Sequence, residues 1–244
     1  MRVALLSDIH ANATALMAVL TDVADHRPDL VVCLGDVAAG GPQPREVVAR
    51  LRDLGCAMVN GNADDVVAGR VPRPSAGTPT PQLKDITEWV REQLSEDELA
   101  FLGSFAPVHE VALGGDASLL CYHGSPRSNT DRLLPTTQDG EVAMLVGNPP
   151  AAVEAGPVVL AGGHTHTQML RPHGAALLVN PGTVGSFRHG PSIGPIAEYA
   201  LVERRGGAVT VKLCRVPYDG HAALAAGMPH AHWWAGLVGA TTSQ

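Results

Sequence analysis

The chain predicts an α/β fold, a four-layer α/β/β/α sandwich in which two mixed sheets face each other and helices cover their outer sides. Over the first sixty residues, short apolar runs alternate with helical patterns, the order that gives parallel strands with right-handed crossovers. From about residue 108 the runs shorten and are joined by glycine turns, which marks a second, partly antiparallel sheet. A third observation concerns the ends of the runs, where five of them close on a short polar motif.

The elements follow in order. Arg2-Val-Ala-Leu-Leu-Ser7 reads as a strand, and Asn12 can cap a helix from Ala13 to Asp25. A strand at 30–34 precedes a helix opened by Pro44 and closed by Gly55, and a third strand is expected at 56–60. Residues 69–81 hold four prolines and two glycines, so they predict a long surface loop, either a lid over the strand ends or a solvated connector. Helices are predicted at 82–94 and 95–104, the second opened by the capping box Ser95-Glu-Asp-Glu98. Strands at 108–113 and 117–122 flank the hairpin signal Gly114-Gly115. A helix near 138–147 is followed by strands near 157–161, 175–179, 196–203 and 208–216, the last pair forming a hairpin around Arg204-Arg-Gly-Gly207. With no internal repeat or linker in view, the expectation is one domain over 1–244 ending in a tail, 217–244.

Composition excludes several classes. No run approaches the ~20 apolar residues of a membrane span, and the apolar N-terminal run is too short for a secretion signal. Four scattered cysteines without a CxxC pattern predict buried thiols in a reducing cytoplasm rather than disulfides or a thiolate metal site. A net charge of −7 argues against a long nucleic-acid partner bound through its phosphates, though not against a small anionic substrate. Homo-oligomerisation is left open.

The polar motifs carry the chemistry. Asp8 and His10 close the first run, Asp36 the second, Asn62 the third, His123 the run 119–122, and His164 with His166 the run 158–163. In an open α/β sheet the carboxyl ends of the strands face one crevice. Seven oxygen and nitrogen ligands there exceed the four of a tetrahedral zinc and suit two neighbouring divalent ions sharing a carboxylate. A single structural metal would leave Asn62, His123 and His164 unexplained. The tail motif His230-Ala-His-Trp-Trp234 also has the look of a metal or aromatic box, but a packed terminal segment is the expectation.

Asp-x-His, Gly-Asp, Gly-Asn, His-Gly and Gly-His-x-His, in this order, resemble the calcineurin-like metallophosphoesterase superfamily. The flanks Ser7-Asp-Ile-His-Ala-Asn12 and Val179-Asn-Pro-Gly-Thr-Val-Gly185 resemble its small single-domain bacterial and archaeal phosphodiesterase branch. The resemblance spans residues 1–216. It implies one metal held by Asp8, His10, His166 and a bridging Asp36, and a second held by Asp36, Asn62, His123 and His164. It further implies Mn, Fe or Zn as the ions and a bridging hydroxide that attacks phosphorus in line. Asp36, Asn62 and His123 would then be the catalytic centre.

One residue departs from the pattern. Many relatives carry a histidine after Gly-Asn that protonates the leaving oxygen, whereas this chain reads Gly61-Asn-Ala-Asp64. Losing a general acid costs about 10²–10⁴-fold, most for poor alkoxide leaving groups. Diesters or anhydrides of small nucleotide-like molecules are therefore expected over alkyl monoesters. A phosphomonoesterase or protein phosphatase, and a metal-binding scaffold with little activity, are the alternatives. Asn12, Asp64, Arg127, Arg188 and His189 are candidate substrate contacts, and Asp65 a candidate for orienting the site. Each has a plainer reading as a helix cap, a helix start or a solvated loop residue.

Overall fold

The computed structural model describes residues 1–70, 80–147, 158–186, 194–220 and 227–238. Arg188, His189 and residues 71–79 of the expected loop lie outside them. In chain order the elements are β1 (Arg2–Leu6), α1 (Ala13–His26), β2 (Leu30–Cys33), α2 (Pro44–Leu54), β3 (Ala57–Met58), α3 (Asn62–Val67), α4 (Pro81–Gln93) and α5 (Glu96–Gly103). There follow β4 (Val108–Gly114), β5 (Ala117–Tyr122), α6 (Asp139–Val146), β6 (Val158–Ala161), β7 (Met169–His173), β8 (Ala176–Asn180), β9 (Ile196–Arg205), β10 (Ala208–Pro217) and α7 (Ala231–Leu237).

Two five-stranded sheets run in the orders β10-β9-β1-β2-β3 and β4-β5-β6-β8-β7. Within each, three strands are parallel: β1 with β2 and β2 with β3, then β5 with β6 and β6 with β8. Antiparallel hairpins complete the sheets at β9–β10, β4–β5 and β7–β8. Both sheets are mixed, as expected.

Alternation along the strands builds the layers. Val3 and Leu5 of β1 join Leu119 and Cys121 of β5 and Val159 and Ala161 of β6 between the sheets. Ala4 and Leu6 face the other way, into a core with α1, α2, α4 and α5. Leu160 and Leu178 turn outward from the second sheet onto Val142 of α6. Each fully buried leucine or valine in these layers contributes about 1.5–3 kcal/mol. Leu5 and Leu119 are both completely buried, so the face between the sheets is sealed from solvent.

The caps follow the sequence. Asn12 Oδ1 accepts from Ala15 N at 3.0 Å. Pro44 starts α2 and Gly55 ends it at φ +60°. Ser95 and Glu98 form the expected box. All four cysteines are free thiols.

Three elements differ from expectation. β3 pairs over two residues rather than 56–60, because the chain leaves the sheet early: Asn60 N bonds to Ala106 O instead of continuing along β2. It then enters α3, an unexpected helix holding Asn62 at its first position. β7 was not expected because Pro172 and two charged or polar side chains break its apolar pattern. It is an edge strand, where a proline costs no ladder bond. In the tail, α7 buries Trp234 against the helical layer of the first sheet.

Candidate metal centre

Five loops that follow β1, β2, β3, β5 and β6 meet where the two sheets end. The turns after β1 and β2 stay paired beyond their strands through Asp8 N to Gly35 O at 2.9 Å and His10 N to Asp36 O at 2.9 Å. Gly163 N bonds to His123 O at 2.7 Å and so ties the turns after β5 and β6. His164 N reaches across to Asp8 Oδ2 at 3.0 Å and joins the two sheets.

Close approach demands glycine at the crossing points. A Cβ on Gly61 would stand 2.1 Å from Asp36 Oδ1, and one on Gly163 would stand 1.9 Å from Ser7 Oγ. The ligand-type residues themselves sit in left-handed backbone: Asp8 at φ 54°, His10 at 47°, Asp36 at 55°, His164 at 65° and His166 at 54°. Asp and His tolerate this region better than most residues, yet a cluster of five is strain that the surrounding bonds must hold.

Six side chains gather into two groups, Asp8 with His10 and His166, and Asp36 with His123 and His164, each with its ligand atoms within 4.8 Å of one another. Asp8 Oδ1 lies 3.1 Å from His166 Nε2 and 3.7 Å from His10 Nε2. Asp36 Oδ2 lies 3.4 Å from His123 Nε2 and 4.0 Å from His10 Nε2, so it stands on the boundary of the two groups. Asn62 is flanked by residues that touch Asp36: Gly61 packs against it and Ala63 N donates to its Oδ1 at 2.8 Å. Backbone carbonyls fix two of the imidazoles: Ala39 O lies 2.9 Å from His10 Nδ1, and Leu34 O lies 2.7 Å from His123 Nδ1. In both rings Nε2 is left for the centre.

The residues fit divalent ions. Asp8 Oδ1, Asn62 Oδ1 and His123 Nε2 are buried and make no hydrogen bond, the first and last meeting only other ligand-type atoms, and cations held by these residues would satisfy all three. The donors are carboxylate, amide and imidazole with no thiolate, a set suited to Mn, Fe or Zn. Electrostatics agree. Burial by itself would raise the carboxyl of Asp8, but the imidazoles of His166 and His10 hold it well below the usual range. Burial opposes ionisation at Asp36 as well, and His123 outweighs it, bringing the carboxyl down to about 2. Burial disfavours the charged form of His123, yet Asp36 pushes that imidazole up to about 10. His164 goes the other way, down to about 4, through burial and the charge of His123, which favours the neutral imidazole that a cation needs.

The remaining candidates hold supporting places. Asp64 is fully buried and accepts from Asp36 N at 2.8 Å, Val37 N at 2.9 Å and Gly61 N at 3.1 Å. It braces the loops of Asp36 and Asn62, and both of its oxygens are engaged by backbone donors. Burial and the Asp36 charge raise its carboxyl to about 6. The Asn12 amide, also buried, caps α1 and donates to Gly185 O at 3.2 Å and Tyr218 Oη at 3.0 Å, so it too is a structural tie. Arg127 donates to Met144 O at 2.6 Å.

Residues with no assigned role in the sequence reading matter as well. Ser7 Oγ donates to Asp8 Oδ2 at 2.5 Å, Thr183 Oγ1 to Asp8 O at 2.8 Å, and Asn180 Nδ2 to Gly163 O at 2.8 Å. The signal for Asn180 and Thr183 is the run Asn180–Gly185 that closes β8, a strand end like the others, while Ser7 stands beside Asp8 at the end of β1.

Sheets, helices and a cluster of this composition at the strand ends define a metal-dependent hydrolase architecture. Residues 1–206 match the calcineurin-like phosphoesterase superfamily domain, and the chain belongs to that superfamily. It is 29% identical to an uncharacterised protein of Methanocaldococcus jannaschii over 89% of this chain and 88% of that one. Among solved structures it is similar to a metallophosphoesterase from Sphaerobacter thermophilus, with TM-score 0.70 and 29% identity over 97% and 98% of the two chains. A hypothetical protein from Pyrococcus horikoshii OT3 shares the fold, with TM-score 0.79 and 20% identity over 99% of each chain. No helix among the described residues is long and apolar enough to cross a membrane.

Proposed function

We propose that the protein is a two-metal hydrolase of phosphodiester or phosphoanhydride bonds in small nucleotide-like substrates. The observation that carries this reading is the pair of adjacent ligand-type groups with Asp36 on their boundary, together with three buried oxygen and nitrogen atoms of Asp8, Asn62 and His123 that make no hydrogen bond. In it, Asp8, His10 and His166 would hold one ion, His123, His164 and Asn62 the other, and Asp36 would serve both. Such ions clamp a phosphoryl group and lower the pKa of a water, so that the protein need only fix their positions. Leu34 O and Ala39 O aim the imidazoles of His123 and His10, Asp64 steadies the two loops, and the surrounding loops bury the Asp8 and Asp36 carboxylates.

Ala63 supports diesters and anhydrides. The position beside Asn62 carries a methyl group that gives no proton to a leaving oxygen, so substrates whose leaving groups need none are preferred. Free thiols, three of the four buried, support a reducing cytoplasm as the place of action.

The test is the initial rate of Mn-loaded protein on an aryl phosphodiester beside the matching aryl monoester. Faster turnover of the diester is expected. A preference for the monoester would make the protein a phosphatase, and two bound metals without turnover of either would favour a binding role.

A further inference from the structure

Beside the centre is a cavity of about 260 Å³ lined by Asp65 of α3, Pro107 at the foot of β4 and the loop 125–129. Its place follows from the chain. Asp65 lies one helical turn beyond Asn62, on the same side of α3, and the loop begins two residues after His123. The cavity therefore adjoins the side of the centre formed by Asp36, Asn62, His123 and His164.

The loop is preformed. Ser125 Oγ, nearly buried, donates to Asp131 Oδ2 at 2.5 Å and accepts from Arg127 N and Ser128 N, both at 3.1 Å. One wall is a fixed polar edge: Asp65 Oδ2 accepts from Asn129 Nδ2 at 2.8 Å and from Asn60 Nδ2 at 3.0 Å, while Arg70 Nη1 lies 3.2 Å from Oδ1. A carboxylate offers about four acceptor positions, so this edge retains room for a ligand hydroxyl or amino group. Pro107 and Pro126 add apolar ring faces. The guanidinium of Arg127 is engaged by Met144 O. Pockets for drug-sized ligands measure about 300–1,000 Å³, so this one takes a single ring-bearing group and not a second nucleotide.

From these features we infer that the cavity is a subsite for the uncharged nucleoside half of a nucleotide diester, with the Asp65–Asn129 edge accepting from its hydroxyl or amino groups and the phosphorus at the adjacent ligand groups. The inference rests on the phosphoesterase reading above but can fail separately from it.

The test compares Pro107→Trp, which fills the cavity from its exposed rim, and Asp65→Asn, which removes the charge, with the unaltered protein. Each is loaded with Mn and assayed on thymidine 5′-(p-nitrophenyl phosphate) and on bis(p-nitrophenyl) phosphate. The ratio of kcat/KM for the nucleoside diester over the simple diester should fall at least tenfold in Pro107→Trp, through KM, and several-fold in Asp65→Asn. Thymidine alone, followed by saturation-transfer NMR, should bind the unaltered protein and not Pro107→Trp. An unchanged ratio, or thymidine binding that survives Pro107→Trp, overturns the subsite. If neither diester is hydrolysed, the phosphodiesterase reading fails and thymidine binding alone decides the subsite.

Discussion

Asp36 Oδ1 accepts the backbone N–H of Ala63 at 2.8 Å, so position 63 is wired to the boundary carboxylate through its main chain and not its side chain. A different side chain can be placed there without breaking that bond. Ala63→His should therefore keep the centre intact while supplying a proton donor beside the leaving group. If a missing acid limits the enzyme, its rate on alkyl monoesters should rise by up to ~10²-fold, and on aryl diesters by much less. Parallel assays of both substrates check this, and equal gains would count against a missing acid.

Asp36 Oδ2 lies within 4.0 Å of an imidazole nitrogen from each ligand group, His10 of one and His123 of the other. Asp36→Asn keeps an oxygen for Ala63 N but removes the charge that His123 and His10 face. Metal content measured after dialysis should fall at both positions, and turnover should be lost. A variant that keeps one full equivalent of metal and normal turnover would remove Asp36 from the boundary role.

Asp64 acts on the centre at one remove. Its carboxylate satisfies three buried backbone donors, those of Asp36, Val37 and Gly61. Leaving such donors unpaired costs about 1–3 kcal/mol each. Asp64→Ala should lower the melting temperature markedly and weaken Mn binding by about 10–100-fold, as loss of supporting bonds does elsewhere. Asp64→Asn, which keeps one acceptor, should fall between the two in a Mn titration. An Asp64→Ala protein with normal Mn affinity would show that the loops hold themselves.

The side chains that gather in the two groups were legible because each ends an apolar run, and strand ends converge in any open α/β sheet. What the sequence hid is the backbone between them. Nothing in Asp8 or His166 announces a positive φ, since that conformation is imposed by cross-loop bonds such as Gly185 N to Asp8 O at 3.0 Å, made over 177 residues. The brace at Asp64 was hidden for a similar reason: an acidic residue in the first turn of a helix looks like ordinary dipole compensation. β7 escaped because Pro172 contradicts a strand unless the strand is already known to be an edge.

Thr183 illustrates the cross-loop control. Its hydroxyl donates to Asp8 O at 2.8 Å and accepts from Ser186 N at 3.0 Å, which holds the strained turn at Asp8 against the end of β8. Thr183→Val keeps the shape and loses both bonds. It should weaken metal binding at the Asp8 group by about 10–100-fold while the protein remains folded. Thr183→Ser should restore affinity. Failure of serine to rescue would mean that the hydroxyl alone does not set the turn, and unchanged affinity in Thr183→Val would remove its two bonds from the account.

The pH dependence follows from the same pairs. In the metal-free protein Asp36 pushes His123 up to about 10, above the ~6.5 of an unfolded histidine. That contribution to stability is complete below pH ~6.5 and is lost as pH rises toward 10. Asp36, lowered to about 2 against ~3.9 unfolded, contributes above pH ~4 and loses its contribution as pH falls through about 2. These two groups therefore favour the metal-free fold most between pH ~4 and ~6.5. Binding of an ion at His123 must displace its proton, so Mn affinity should climb by about tenfold per pH unit as long as the pH stays below about 10, while metal-free stability declines above pH ~6.5. Melting curves of the chelator-treated protein, set beside Mn titrations from pH 6 to 9, should diverge in these directions. Mn affinity that stays flat over this range would mean that His123 is already neutral before the metal arrives.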